Sequence, residues 1–522
     1  MPSDALAVLL DGIHVADLVR GRGRLGARLL YRDDATRPLS LSLPLSRREH
    51  RAAAVEPWLR GLLPDDPRVI RRWADDFDLP DLTSFSLLGT AVGHDCAGAV
   101  QFCDPDGIDD LLRRGGSVQW LSQRELDQVV RDLHEDGTAW LGDPAWLQFS
   151  LSGGETKTSL HHDGDRWGRP TGIVPSTHIL KPQLRKHDYD DLPVNEHLCQ
   201  TAARRLGLPT AETEVLKIGG IQTVVIKRYD RLQRDGAVVR LHQEDLCQAL
   251  GIEPRRKYQV KGGPSVAQVA KLLRSVSSCP SEDIAAYRDA LIFNWVIGGT
   301  DAHAKNYSLL IGADGDVRLA PLYDLASGLP YVEDDNVSRI ALAQRIGKNY
   351  TLRKSDRRSA WESTADALGL DRAETVERAE QIAAAVPEAF DLAVSTLSVE
   401  FRESRTVTDL RRRLIHRKRT CTSMSKEADG SPARSPQRTA GASIRAVRCG
   451  QPLAGNNHCR RRLRFKACPD HPGSPGSRKA LEQASAAAQS ARSAAIRAAE
   501  ASQPPTAPDS SDPAIPHAGT GV

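Results

Sequence analysis

The stretch LIFNWVIGGTDAHAKNYSLLIGADGDVRLAPLYDLASGLP, residues 291–330, decides how the rest of the chain is read. It opens as an apolar helix, passes through a loop carrying Asp301, His303, Ala304, Lys305 and Asn306, and turns a hairpin at ADGD before a second acidic loop at Asp324. A phosphoryl-transfer site needs a carboxylate to accept the nucleophile's proton. It also needs an amide oxygen and a second carboxylate to hold Mg²⁺ against the phosphates. In the pattern H-R-D-x-x-x-x-N the base and the metal-binding Asn stand five positions apart, with a metal Asp following after a short hairpin. Asp301 and Asn306 keep that step, and Asp324 keeps that order. The plain alternative makes all three turn formers, as Asp and Asn often are. The helix before them and the hairpin between them favour chemistry. His303 either shapes the loop, approaches phosphate, or satisfies a local hydrogen bond.

Upstream, FSLSGGETKTSL at 149–160 sets Gly153 and Gly154 among hydroxyls, with Lys157 close by. Glycines let backbone N–H groups approach phosphate oxygens, and a lysine offsets their charge. The G-x-x-x-x-G-K-[ST] spacing of a Walker A loop is missing, so an ordinary turn is the competing reading. Lys181, in THILKP at 177–182, stands near the end of a predicted strand, where a kinase keeps the lysine that meets the α- and β-phosphates. A solvated strand-end lysine is the other reading.

Around this centre the pattern is α+β. LAVLLDGIHVADLV is a hairpin turned at Asp11-Gly12, and RPLSLSLPL at 37–45 alternates as a strand does. Ser122 with Glu125 forms a capping box ahead of a helix. Residues 146–160 and 171–180 read as strands, and 194–206 as a helix ending at Gly207. TEVLKIGG and IQTVVIKRYDRL form a second hairpin at Gly219-Gly220, after which the pattern is mostly helical from Asp245 to about residue 300. A 40% hydrophobic content is enough for a sizeable core, and no run of 18 apolar residues predicts a membrane span. The first residues carry Asp4 and Asp11 and lack a basic region, which predicts no signal peptide. Nine scattered cysteines without a C-x-x-C pair suit a reducing cytoplasm.

Charge divides the chain. From Arg402 on, 22 Lys and Arg stand against 9 Asp and Glu, a net of +13, so the first 401 residues carry −9 of the overall +4. The basic character therefore belongs to the end of the chain and says nothing of nucleic-acid binding by the folded part. Residues 413–522 are rich in Arg, Ala, Ser, Pro and Gly and are expected to be disordered, with AAAQSARSAAIRAAEA prone to transient helix. RRRLIHRKR at 411–419 reads as a solvated charge run, the alternative being phosphate contacts. Cys421, Cys449, Cys459 and Cys468 fit no zinc spacing.

In order, FSLSGGETKTSL, THILKP, VVIKRYDR, HQEDLCQALG, TDAHAKNYSLL and APLYDLAS resemble the HipA family of serine/threonine kinases, the toxin halves of bacterial toxin–antitoxin pairs. The resemblance covers about residues 1–412. It implies a kinase-like two-lobed fold: a β-rich N-terminal subdomain over 1–110, an N-lobe with the phosphate loop over 111–232, and an all-helical C-lobe over 233–412. It implies ATP and Mg²⁺ as cofactors, with Asp301 as catalytic base and Asn306 and Asp324 as metal ligands. Ser152, Gly153, Gly154, Glu155, Thr156 and Lys157 would form the phosphate loop, and Lys181 would bind phosphates. Lys227, Arg228 and Tyr229 would lie beside adenine through backbone contacts, with His303, Ala304 and Lys305 near the nucleotide. Ser150 matches a serine that the family autophosphorylates, ejecting the loop. Two departures stand out: Lys227 replaces a commonly acidic hinge residue, and the chain continues past the family's usual end. That continuation is either an added basic extension or translation past a frameshift, with the second favoured.

The family further implies growth arrest through phosphorylation of a translation component, with an aminoacyl-tRNA synthetase the leading protein substrate. Inhibition would come from a HipB-like helix-turn-helix antitoxin, and operator DNA would be engaged mainly through that antitoxin. A small-molecule kinase is a second reading. A catalytically inactive kinase-fold scaffold, acting as co-repressor with an antitoxin on operator DNA, is a third.

Overall fold

The computed structural model describes residues 4–21, 26–113, 115–140, 148–185, 189–234 and 236–424. The chain starts as a five-stranded antiparallel sheet in the order Glu49–His50, Arg28–Tyr31, Ile13–Val19, Ala5–Leu10, Val100–Cys103. Its first hairpin turns at Asp11 and Gly12, both at positive φ (55° and 75°). Those values suit the twist of a two-residue hairpin and explain the Asp-Gly pair. The helix Ala52–Leu62 covers the sheet through Val55, Trp58, Leu59 and Leu62, with Trp73 beside them. Phe149 and Leu151 join the same core, so the N-terminal unit is packed against the segment that leads into the glycines at 153 and 154.

The second layer is a six-stranded antiparallel sheet in the order Thr213–Ile218, Ile221–Lys227, His178–Pro182, Thr158–Asp163, Arg166–Pro170, Val118–Trp120. Successive strand residues point to opposite faces. Leu160, Leu180 and Val225 therefore pack on the helix Gln123–Glu135 through Leu126 and Val130, while Ile179, Val224 and Ile226 pack with Ala211 on the other face. Lys181, one residue beyond Leu180, belongs to that other face, where its ammonium meets the helix Leu192–Arg205. Ser122 and Glu125 make the expected capping box.

The C-lobe packs around the helix Pro280–Val296, 13 of whose 17 residues are buried. A helix buried on nearly all sides marks the centre of its lobe. It hands the chain to the loop bearing Asp301 and Asn306, followed by the hairpin Ser308–Ile311 and Val317–Leu319, which pairs with His242–Asp245, so the lobe expected to be all-helical carries strands as well as helices.

Several expectations are corrected. Residues 37–45 form a loop with one bridge, Ser40 to Leu43. Of the expected strands 146–160 and 171–180, residues 146 and 147 lie outside the described residues; among the described ones the strands begin at Thr158 and His178, with glycine-bearing and proline-bearing loops over 148–157 and 171–177. Disorder does not begin at residue 413. The helix Arg405–Cys421 runs through that point, burying Val407, Leu410, Leu414 and Cys421, with Met424 beyond it. Nor is 411–419 merely a solvated charge run. The Arg417 guanidinium meets Asp356 at 2.8 and 2.9 Å and donates to the Trp295 carbonyl, and Arg413 pairs with Asp334. The i, i+3, i+7 spacing of Val407, Leu410 and Leu414 carries the buried face, and the arginines between them mask it by composition. The expected tail from residue 425 on lies outside the described residues. Among the described residues no helix is long and apolar enough to cross a membrane.

Candidate active site

Asp301 follows the buried helix and a turn at Gly298, whose φ of 57° favours glycine. The loop closes on itself. His303 N–H donates to the Asp301 carbonyl at 2.8 Å, Asn306 N–H to the His303 carbonyl at 2.9 Å, and the Asn306 side-chain Nδ2 to the Asp301 carbonyl at 2.9 Å. With its NH₂ committed inward, the Asn306 amide has its oxygen to present to a cation. The Tyr258 hydroxyl donates to the Asp301 carboxylate. Burial pushes the Asp301 carboxyl up to about 6, against the pull of Lys257 and the Tyr258 hydrogen bond, while Glu155 and Asp324 add to the rise. A carboxyl tuned towards neutrality is suited to general-base work. His303 packs edge-on against Tyr258 at 4.9 Å, and burial holds its imidazole well below its ordinary value.

Asp324 sits after the hairpin at φ 54°, an uncommon backbone state for a residue with a Cβ. Its carboxylate pairs with Lys181. The Lys181 Nζ also meets Glu155 at 2.8 Å and both oxygens of Glu196 at 3.0 and 3.1 Å. Burial disfavours the Lys181 charge, yet Asp324, Glu155 and Glu196 outweigh it and hold the ammonium well above its ordinary range. Burial pushes Glu196 up to about 8, with Lys181 pulling against it. Oxygens of Glu155, Glu196 and Asp324 lie within 4.8 Å of one another, an arrangement of hard ligands that could hold a divalent cation.

The segment 152–157, expected to be the phosphate loop, joins this cluster through Glu155. Gly153 has φ 106°, and a Cβ there would stand 2.8 Å from the Lys157 Nζ. That ammonium donates to the Ser152 carbonyl at 2.9 Å and lies 5.0 Å over the Trp140 ring. Burial lowers Lys157 to about 8, partly opposed by Asp324. Gly154 forms the bend next to Glu155, and the Thr156 hydroxyl donates to the Gly137 carbonyl at 2.8 Å. Ser150 is fully buried, its hydroxyl donating to the Leu62 carbonyl at 2.8 Å and its N–H to the Asp95 carbonyl at 3.0 Å.

The three residues expected beside adenine part company. Lys227 is exposed and pairs with Glu212 at 3.1 Å, so it makes its own surface ion pair in place of any an acid would make. The Arg228 side chain turns into a buried ion cluster with Asp95 and Asp230. Only Tyr229 packs with Ile179, Ala211, Val224, Ile226 and Tyr323, the apolar cluster on the Lys181 face of the sheet. Ala304 N–H donates to the Lys257 carbonyl at 3.1 Å, and Lys305 is buried against Asp65 of the N-terminal unit.

Sequence reading missed Glu196, Tyr258, Lys257 and Asp65. The first had a signal, because a phosphate-binding lysine in a kinase pairs with a helical glutamate, and Glu196 is the glutamate of the next helix. The others had none: Asp65 stands 240 residues from Lys305 in sequence.

With this geometry in hand, family models described as the HipA N-terminal domain and the HipA-like C-terminal domain match residues 6–103 and 149–390. A Sinorhizobium fredii protein named "Putative kinase Y4mE" is 34% identical over 342 residues, spanning 65% of this chain and 78% of its own. The serine/threonine-protein kinase toxin HipA of Shewanella oneidensis is 27% identical, spanning 67% and 80%. A solved structure of Shewanella oneidensis HipA with HipB and operator DNA superposes with a TM-score of 0.66 at 22% identity, covering 81% of this chain and 96% of that one.

Proposed function

We propose, since this chain belongs to the HipA-like family of serine/threonine kinase toxins, that it transfers the γ-phosphoryl group of ATP to a Ser or Thr hydroxyl of a protein. The observation that carries the reading is the pair of built features at expected kinase positions: the loop in which Asn306 Nδ2 closes on the Asp301 carbonyl, and the cluster of Lys181 with Glu196, Glu155 and Asp324. Such a site works by positioning and charge rather than covalent chemistry.

In this reading Asp301 accepts the proton of the attacking hydroxyl, and Tyr258 orients it. Lys181, braced by Glu196, takes phosphate oxygens in exchange for the carboxylates it now meets. Asn306 and Asp324 offer the hard oxygens that suit Mg²⁺, which when bound would offset charge on the phosphates. Backbone N–H groups of residues 152–157 and the Lys157 ammonium complete the cradle. Adenine would rest beside the backbone of Lys227, Arg228 and Tyr229, over the apolar cluster around Ile179 and Ile226.

Ser150 is the proposed autophosphorylation site. Its burial means that it reacts only once its segment has left its seat. About two added charges would then keep the segment out of an apolar, carbonyl-lined pocket. The proposed partners are a HipB-like helix-turn-helix antitoxin, operator DNA mainly through it, and a protein substrate such as an aminoacyl-tRNA synthetase.

The test is incubation of the full chain with labelled ATP and Mg²⁺, with phosphosite mapping, alongside Asp301→Asn and Ser150→Ala. Label on Ser150 that disappears in Asp301→Asn supports the reading. A folded wild-type protein, free of prior phosphate, that takes up no label refutes it.

A further inference from the structure

Residues 62–65, the last residue of the helix Ala52–Leu62 and the three that follow it in the N-terminal unit, touch both halves of the site. The Leu62 carbonyl accepts the Ser150 hydroxyl at 2.8 Å. Pro64 pairs with Gly153, and the Asp65 N–H donates to the Gly153 carbonyl at 2.8 Å. The Asp65 carboxylate faces the other way. Its Oδ1 accepts from Lys305 at 2.5 Å and its Oδ2 from Lys257 at 2.7 Å. Lys305 is part of the catalytic loop. Lys257 accepts the Ala304 N–H at its carbonyl and precedes Tyr258, which holds Asp301.

Two ammonium groups, 1% and 16% exposed, thus converge on one carboxylate that is itself 10% exposed. A buried charge stays in place only when paired, and removing one partner strands the other. Asp65 is therefore the shared counter-ion that lets both lysines remain inside the protein. Burial pushes its carboxyl up, but the two lysines outweigh that and hold it well below the usual carboxylate range.

We propose that Asp65 is a positioning residue that fastens the seated phosphate loop to the catalytic loop, making the N-terminal unit part of the catalytic apparatus. The backbone of residues 62–65 holds the phosphate loop, and the side chain of Asp65 anchors that backbone to Lys257 and Lys305. Loosening one side loosens the other, although no residue of the N-terminal unit carries out the chemistry. This inference rests on the kinase reading for its functional meaning, while its structural half stands apart from it.

The experiment follows amide hydrogen exchange and kinase kinetics in the full chain for wild type, Asp65→Asn and Asp65→Glu. Asp65→Asn is expected to lose at least about tenfold of the protection over residues 148–157 and 301–306, with the helix Pro280–Val296 protected as in wild type. Its kcat is expected to fall about 10- to 100-fold, the scale of a small misplacement of reacting groups, and Asp65→Glu to recover part of it. Native exchange at both loops, or loop loosening with unchanged kcat in an active kinase, overturns the proposal. If wild type transfers no phosphate, the kinase reading fails, but the exchange arm still decides whether Asp65 seats the loop. If Asp65→Asn loses protection everywhere, Lys257→Met decides, since it removes one pair and leaves Lys305 balanced. Loosening confined to the two loops then supports the proposal, and native or global exchange overturns it.

Discussion

Two buried charge clusters sit on the N-lobe, and they are built on opposite plans. Between the N-terminal unit and the sheet, Arg228, Arg231 and Arg240 surround Asp95 and Asp230. The surplus of positive charge is taken up by fixed acceptors: Cys96, Gly98 and Ile173 carbonyls and the Ser176 hydroxyl. In the cleft, one ammonium, Lys181, faces three carboxylates. There the surplus is negative, and two of the acids, Glu155 and Asp324, keep 21% and 26% of their side chains exposed, against 2% and 3% for Asp95 and Asp230. The first cluster is closed and the second is left open to exchange partners. A buried ion network that meets its surplus with backbone carbonyls holds a fold together. One whose acids keep part of their surface open can exchange partners, and under the proposed function that is where a cation and the phosphates it offsets would enter.

The contrast can be broken at either end. The largest effect is expected from Asp301→Asn beside the open cluster: phosphoryl transfer should fall about 10²- to 10⁴-fold, measured as label incorporation per unit time. Stability should not fall with it. A carboxyl raised by burial favours the protonated fold, so its contribution weakens as pH rises through about 6, and the amide removes that penalty. Denaturant midpoints at pH 7 check this. Next, Asp95→Asn in the closed cluster should cost about 3–5 kcal/mol of unfolding free energy, because three arginines lose their shared partner. Chemical denaturation reads it directly.

Glu196→Gln sharpens the comparison. It should lower kcat/KM for ATP about tenfold by freeing Lys181, while costing far less stability than Asp95→Asn, since the Glu196 carboxyl is itself raised to about 8. The smallest effect is expected from Tyr258→Phe. Losing its hydrogen bond removes one influence that lowers the Asp301 pKa, so the acid limb of the pH–rate profile should move to higher pH. In wild type the rate should decline as pH falls through about 6, since the base must be ionised.

Features that depend on neighbours in sequence were legible without a structure. The Asp11-Gly12 hairpin, the Ser122–Glu125 capping box, the Gly219-Gly220 turn and the helix–loop–hairpin from 291 to 324 all form as the residues indicate. Failures arose where composition hid periodicity or mimicked it. The helix Arg405–Cys421 looks like a charge run until its apolar i, i+3 and i+7 positions are counted. RPLSLSLPL alternates like a strand, but Ser40 is drawn off by Glu244 and Leu41 N–H donates to the same carboxylate, so the segment pairs with no strand.

The sequence by itself determined the order of the chemistry-bearing groups: a glycine-bearing loop, a lysine on a strand, then Asp301, Asn306 and Asp324 at kinase-like spacing. Turn chemistry and side-chain period act over a few residues, and a linear reading can follow them. Only the tertiary structure decided which charges meet. Glu196 braces Lys181, Asp65 joins Lys257 to Lys305, Asp356 receives Arg417, and Arg228 turns to Asp95. A buried ion needs a partner wherever the chain can supply one, and in these cases the partner arrives from a distant segment, set by packing rather than by spacing.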